Sequence, residues 1–246
     1  VRVRRSSDNA EQDFSATEIT DGTLTTFTGA NDGFVTTWYD QSGNSNNASQ
    51  STAASQPKIV NSGTVISENS KSAIEMDGVN DFLTVPYSSE LNVQIASSTV
   101  VAVYRKSAGF RVMQTNLNGT GVGSNYWFLD GSSILSVAGA YTTSYPYNQD
   151  VQKLELATWD GNLIFNYRNG VKMIPNSVSN GTIVNGGINP LYSPTSNTAG
   201  FLIGKRDFSS TGIMTGKFQE IIIYDSDQTL NKSGIETNIN NHYSIY

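Results

Sequence analysis

The sequence predicts an all-β sandwich of two antiparallel sheets with one short helix at its C-terminal end. Three observations carry this. Two runs, Thr99 to Tyr104 and Phe218 to Tyr224, are apolar on both faces, as strands covered on both sides are. Asp160-Gly161 and Asn169-Gly170 bracket Asn162 to Arg168, and both dipeptides suit turns that need positive φ. Turn residues recur at strand-sized intervals throughout, with a single convincing helical stripe.

In chain order, Val1 to Arg4 alternates apolar and basic, a half-buried strand with Arg2 and Arg4 outward. Arg5 to Asn9 is a polar turn, and Glu11 to Asn31 reads as loop with one short strand. Phe34 to Tyr39 is a strand that runs into the turn-rich Asp40 to Ala48. Pro57 to Val60 and Ala73 to Asp77 are short strands, and Gly78 to Asp81 turns the chain into Phe82 to Val85. Arg111 to Gln114, Tyr126 to Leu129 and Ile134 to Val137 are weaker strands. Lys153 to Trp159 alternates Leu154 and Leu156 against Lys153 and Glu155 and opens a three-strand meander ending near Ile174. Phe201 to Gly204 precedes the last strand, where Phe218, Ile222 and Tyr224 are expected on one face and Ile221 and Ile223 on the other. Glu220 falls on the Phe218 side. The helix is expected from Asn231, as N-cap, to about Tyr243, with Ile235, Ile239 and Tyr243 as its stripe.

Composition bounds the function. The 246 residues suit one large all-β domain, and only 15% are charged. A net charge of −6 and a pI near 4.7 argue against nucleic acid and fit poorly with an anionic membrane surface. There is no cysteine, so no disulfide framework or thiolate zinc site, and no apolar run is long enough to span a bilayer. The chain opens at Val1 directly in strand-like sequence, and residues 1–246 are expected to be one domain of a longer protein.

An ordered series of motifs resembles a known family. Trp38-Tyr39-Asp40-Gln41-Ser42-Gly43-Asn44, Met76-Asp77-Gly78 through Asp81-Phe82-Leu83, Trp159-Asp160-Gly161 with Tyr167-Arg168-Asn169-Gly170, and Glu220 to Tyr224 resemble the laminin G-like modules of the concanavalin A-like superfamily. Val1 to Asp8 and Ile235 to Tyr246 are similar to the versions in secreted bacterial and phage structural proteins. The resemblance implies a jelly roll. It also implies a non-catalytic carbohydrate-binding or adhesion module, extracellular or on a virion surface, with a glycan and other chains of an assembly as partners. A polysaccharide-degrading enzyme and a purely structural module are the alternatives.

The residues themselves favour binding over catalysis. The Glu-x-Asp-x-x-Glu strand of the related glucanases has its nearest match in Glu75-Met76-Asp77-Gly78-Val79-Asn80, which lacks the third carboxylate and turns at Gly78. An arabinofuranosidase branch shares an opening similar to Val1 to Asp8, but its carboxylates find no counterpart here. The single histidine, His242, sits on the terminal helix, so no catalytic residue is assigned. No cofactor is required. The loops holding Asp40, Asn44 and Asn46, and Asp77, Asn80 and Asp81, read first as turn chemistry and leave room for a structural calcium. For a glycan, the expected site residues are the loop tyrosines Tyr145 and Tyr147, held by Pro146, with Tyr192 and Arg206, and then Tyr126 and Trp127.

Overall fold

The structure is a computed structural model, and it describes residues 1–91, 97–108, 113–115, 128–130, 134–137, 140–143, 150–175, 177–179, 181–190, 200–205 and 212–246. The N-terminal part holds β1 (Arg2–Arg5), β2 (Glu11–Asp13), α1 (Ala16–Thr20), α2 (Thr23–Thr28), β3 (Gly33–Trp38), β4 (Ala48–Ser49), β5 (Lys58–Asn61) and β6 (Thr64–Val65). Next come β7 (Ser67–Glu68), β8 (Lys71–Ser72), β9 (Ile74–Asp77), β10 (Leu83–Val85), β11 (Ser98–Ala108), β12 (Met113–Thr115), β13 (Phe128–Asp130), β14 (Ile134–Val137) and β15 (Ala140–Thr143). The last part holds β16 (Gln152–Trp159), β17 (Ile164–Arg168), β18 (Val171–Met173), β19 (Ser177–Ser179), β20 (Gly181–Val184), β21 (Gly187–Pro190), β22 (Phe201–Ile203), β23 (Thr215–Tyr224) and α3 (Lys232–Tyr243).

Every strand pairing is antiparallel. One layer runs β5-β9-β23-β11-β16-β17, the other β4-β10-β22-β12-β13-β14-β15-β19, and β3 pairs with both β5 and β4. Between the layers, Met76, Val100, Ala102, Trp159 and Phe218 of the first meet Leu83, Val85, Met113, Phe201 and Ile203 of the second. The sequence-predicted sandwich and C-terminal helix are both present. On the outer side of the first layer, Ile239 and Tyr243 of α3 pack on Val101, Val103, Leu154 and Leu156, with Ile235 beside them, as the stripe predicts. Asn231 occupies the N-cap, but its side chain donates to Gln228 instead of capping the helix. No helix among the described residues is long and apolar enough to cross a membrane.

Three local expectations are corrected. The Glu11–Asn31 stretch holds two short helices, and α1 is nucleated by a capping box. The Glu18 amide donates to Ser15 Oγ at 3.3 Å, and the Ser15 amide donates to Glu18 Oε2 at 2.8 Å. In β23 the register slips between the pairs Val103–Glu220 and Tyr104–Phe218, so Gln219 is an extra residue. That bulge turns Phe218 to the inter-sheet core with Ile221 and Ile223, while Ile222, Tyr224 and Glu220 face α3. Finally, β16 does not alternate between core and solvent. All eight of its residues are buried, Lys153 and Glu155 included, because one face meets the second layer and the other meets α3.

Candidate functional site

Strand alternation builds a charged row on the outer face of the first layer. Ile74 and Met76 enter the cores, which leaves Glu75 and Asp77 of β9 pointing out. The register then sets Lys58 of β5, Glu75, Lys217 of β23 and Arg105 of β11 side by side across four strands. The β7–β8 hairpin lays Glu68 over one end of the row, 3.1 Å from Arg105 and 3.4 Å from Lys217. Asp150 takes a second Arg105 nitrogen at 2.9 Å, and Asp32 takes Lys58 at 2.9 Å.

Glu75 and Asp77 are shared by two adjoining depressions. One, about 350 Å³, is lined by Phe34, Gln56, Lys58 and Asp81 besides the shared pair; the other, about 310 Å³, by Arg105, Ser107, Thr215 and Lys217. Together they make an open groove with mixed polar and apolar walls. Phe34 closes one end, with the Arg4 guanidinium 4.9 Å and the Lys58 ammonium 5.7 Å from its ring centre. The turn after β9 shapes the wall. Gly78 adopts φ +79°, and Asp77 Oδ1 accepts the amides of Val79 at 2.7 Å and Asn80 at 3.2 Å. Asp40 binds its own loop in the same way, accepting from Ser42 and Asn46. Among the described residues, no three Asp, Glu or His side chains converge in a way that could hold a metal ion.

Asp81 is the unusual group. Its side chain is 6% exposed, and Oδ2 accepts the Asp77 amide at 3.1 Å. Burial first, and the neighbouring Asp77 carboxylate second, raise its pKa to about 7. The folded state therefore binds this proton more tightly than the unfolded chain does. The corresponding stability is full below an ordinary value of 3.8 and is lost as pH rises through about 7. Asp81→Asn should flatten that part of the melting-temperature profile. An unchanged slope between about pH 4 and 7 would show that the carboxyl titrates normally.

A second polar cluster lies between the layers. Glu155 accepts from Asn166 Nδ2 at 3.0 Å, from Arg168 at 2.9 Å and from the Tyr104 hydroxyl. Burial raises its proton affinity, but the Arg168 guanidinium, the Asn166 amide and the Tyr104 hydroxyl outweigh it, and the carboxyl stays below its usual range. Lys153, on the same strand, is pulled down to about 8 by burial and by Arg168. These groups are buried on the β16–β17 pair and join β11 to it through Tyr104.

The expected ligand residues Tyr126, Trp127, Tyr145, Tyr147, Tyr192 and Arg206 lie outside the described residues. The groove was only half visible in the sequence. Glu75, Asp77 and Asp81 were singled out as motif and turn residues, whereas Phe34, Gln56 and Lys58 join them only through strand pairing. The missed signal is the exposed acidic pair at alternate positions of a strand whose neighbours present Lys58 and Lys217 opposite.

No family model and no curated protein matches the chain. Solved structures do. A GH54 α-L-arabinofuranosidase soaked with a cyclic sulfate inhibitor aligns with TM-score 0.66 at 15% identity, covering 97% of this chain and 58% of that one. An arabinofuranosidase complexed with arabinofuranosyl-α-1,2-xylobiose aligns with TM-score 0.62 at 17% identity over the same shares. The chain thus spans less than two thirds of these relatives, and the likeness is one of fold. It corrects the laminin G-like resemblance. The two structures above, which align over nearly the whole chain, are arabinofuranosidases and not laminin G-like modules.

Proposed function

We propose that this chain is a non-catalytic carbohydrate-binding or adhesion module of a secreted bacterial protein or a phage fibre or tail protein, with a saccharide seated in the Glu75–Asp77 groove. The carrying observation is the groove itself. It is open, and it offers carboxylates and hydroxyls, with an aromatic ring at one end, the mixture that recognises sugar hydroxyls and C–H faces. The arabinofuranosidase-like fold supports a saccharide over other polar ligands. On this reading residues 1–246 are one domain of a longer extracellular or virion protein, with other chains of the assembly as partners. Tyr145, Tyr147, Tyr192, Arg206, Tyr126 and Trp127 are proposed as additional contacts.

The test is a glycan array that includes arabinose-bearing oligosaccharides, followed by calorimetry on the best binder. The variant Glu75→Gln/Asp77→Asn should weaken binding about tenfold or more while leaving the melting temperature near that of the parent, because both side chains lie on the outer face. Full affinity in that variant would move the site elsewhere.

One observation favours a second reading, a polysaccharide-cleaving enzyme. A carboxyl that holds its proton to about pH 7 beside the Asp77 carboxylate is the acid–base pairing that glycoside hydrolysis uses. Release of reducing ends that Asp81→Asn abolishes would establish it.

A further inference from the structure

We propose that Asn185 is a self-modification site, where the chain converts its own side-chain amide into a carboxylate with Lys172 assisting. The Gly186 backbone nitrogen attacks Asn185 Cγ, the bond from Cγ to the side-chain nitrogen breaks, and ammonia leaves with the Gly186 proton. One water molecule then opens the resulting succinimide ring, which leaves aspartate or isoaspartate at position 185. Water is the only co-reactant. Glycine permits the attack because it has no Cβ to hinder the approach.

Two Asn-Gly dipeptides lie wholly among the described residues, and the fold treats them differently. Both close hairpins in the same left-handed geometry, Asn169 and Gly170 at φ 51° and 77°, Asn185 and Gly186 at φ 52° and 74°. Asn169 is locked to the buried strand β16. Its Oδ1 accepts the Leu154 amide at 3.0 Å, and its own amide donates to the Leu154 carbonyl at 2.9 Å. Asn185 is exposed, and its side chain takes no hydrogen bond among the described residues. The β20–β21 hairpin it closes has its ladder contact with the first layer at Ile164–Ile188 alone among the described residues. Such a peripheral hairpin opens locally at far lower cost than β16, and opening frees the Asn185 side chain to meet the Gly186 nitrogen. Lys172 makes the second difference. Its ammonium donates to the Asn185 carbonyl at 3.0 Å, and Nζ lies 3.7 Å from where a Gly186 Cβ would stand. It polarises the peptide whose nitrogen attacks and so favours loss of the Gly186 proton, while its flexible stem lets it follow the turn as it opens. Lys172 has no carboxylate partner among the described residues, so the new carboxylate forms beside a cation ready to pair with it.

The experiment is peptide mapping by mass spectrometry of the intact chain aged at about pH 8, with fragment ions locating each conversion. Asn185 is expected to convert about tenfold faster than Asn169 or more, and the two rates should converge in guanidinium chloride, where the fold no longer separates them. Lys172→Gln should slow Asn185 severalfold in the folded chain and leave it unchanged in the unfolded one. Lys172→Arg should restore part of the rate, since the guanidinium keeps the charge and the donors. Equal rates at the two sites in the folded chain, or an Asn185 that stays intact, would overturn the site. A folded Lys172→Gln chain that ages as fast as the parent would overturn the part given to Lys172.

Discussion

Replacing Arg168 with methionine is expected to destabilise the fold by about 3–5 kcal/mol, because it strands an ionised carboxylate in the core. Glu155 is 3% exposed and lies 2.9 Å from the Arg168 guanidinium, with Asn166 and Tyr104 completing its shell. The double variant Glu155→Gln/Arg168→Met should cost clearly less than the sum of the two single changes, since the uncompensated charge then disappears. Denaturant unfolding at neutral pH measures both. A loss below about 1 kcal/mol for Arg168→Met would mean that Glu155 is not held ionised by this partner. The pair also contributes to the acid limb of stability. Glu155 has a lowered folded pKa, so its contribution is present above an unfolded value near 4.5 and is lost as pH falls through the folded one. Asp81 acts in the opposite sense on the rising side.

Trp159→Ala should be as damaging, at about 3–5 kcal/mol. Trp159 is 2% exposed at the end of β16 and meets Ile164, Val100 and the second layer, so its loss opens a cavity between the sheets. Trp159→Phe separates packing from hydrogen bonding. The indole nitrogen is buried and has no hydrogen-bond partner among the described residues, so phenylalanine forfeits volume but no bond. Its cost should be about 1–2 kcal/mol. A phenylalanine variant as unstable as the alanine one would reveal an indole partner outside the described residues.

Individual strands of the first layer were readable in the chain because their signals are local. Thr99 to Tyr104 is apolar on both faces, and Asn169 and Gly170 adopt the positive φ of 51° and 77° that their dipeptide suggests. The capping box Ser15 to Glu18 is equally local, but the stretch from Glu11 to Asn31 reads as loop with one short strand, and α1 was missed. Other features were set by tertiary partners. Nothing near Glu155 in sequence says that it is buried, since Arg168 and Asn166 reach it from the next strand of the hairpin. The Gln219 bulge reverses one face of β23 because β11 sets Tyr104 opposite Phe218 and Val103 opposite Glu220, which leaves Gln219 without a partner position. The groove combines both kinds. Its acidic strand was visible at Glu75 and Asp77, but Phe34 and Gln56 are brought to it by folding alone.

The most direct test of the saccharide site is an amide chemical-shift map of the chain titrated with the best glycan from the array. The groove assignment predicts perturbations concentrated at Gln56 and Lys58, from Glu75 through Asp81, and at Arg105, Ser107 and Lys217. Perturbations confined instead to residues 116–127, 144–149 and 191–199, with the Glu75 to Asp81 amides unmoved, would contradict it and return the site to Tyr126, Trp127, Tyr145, Tyr147 and Tyr192.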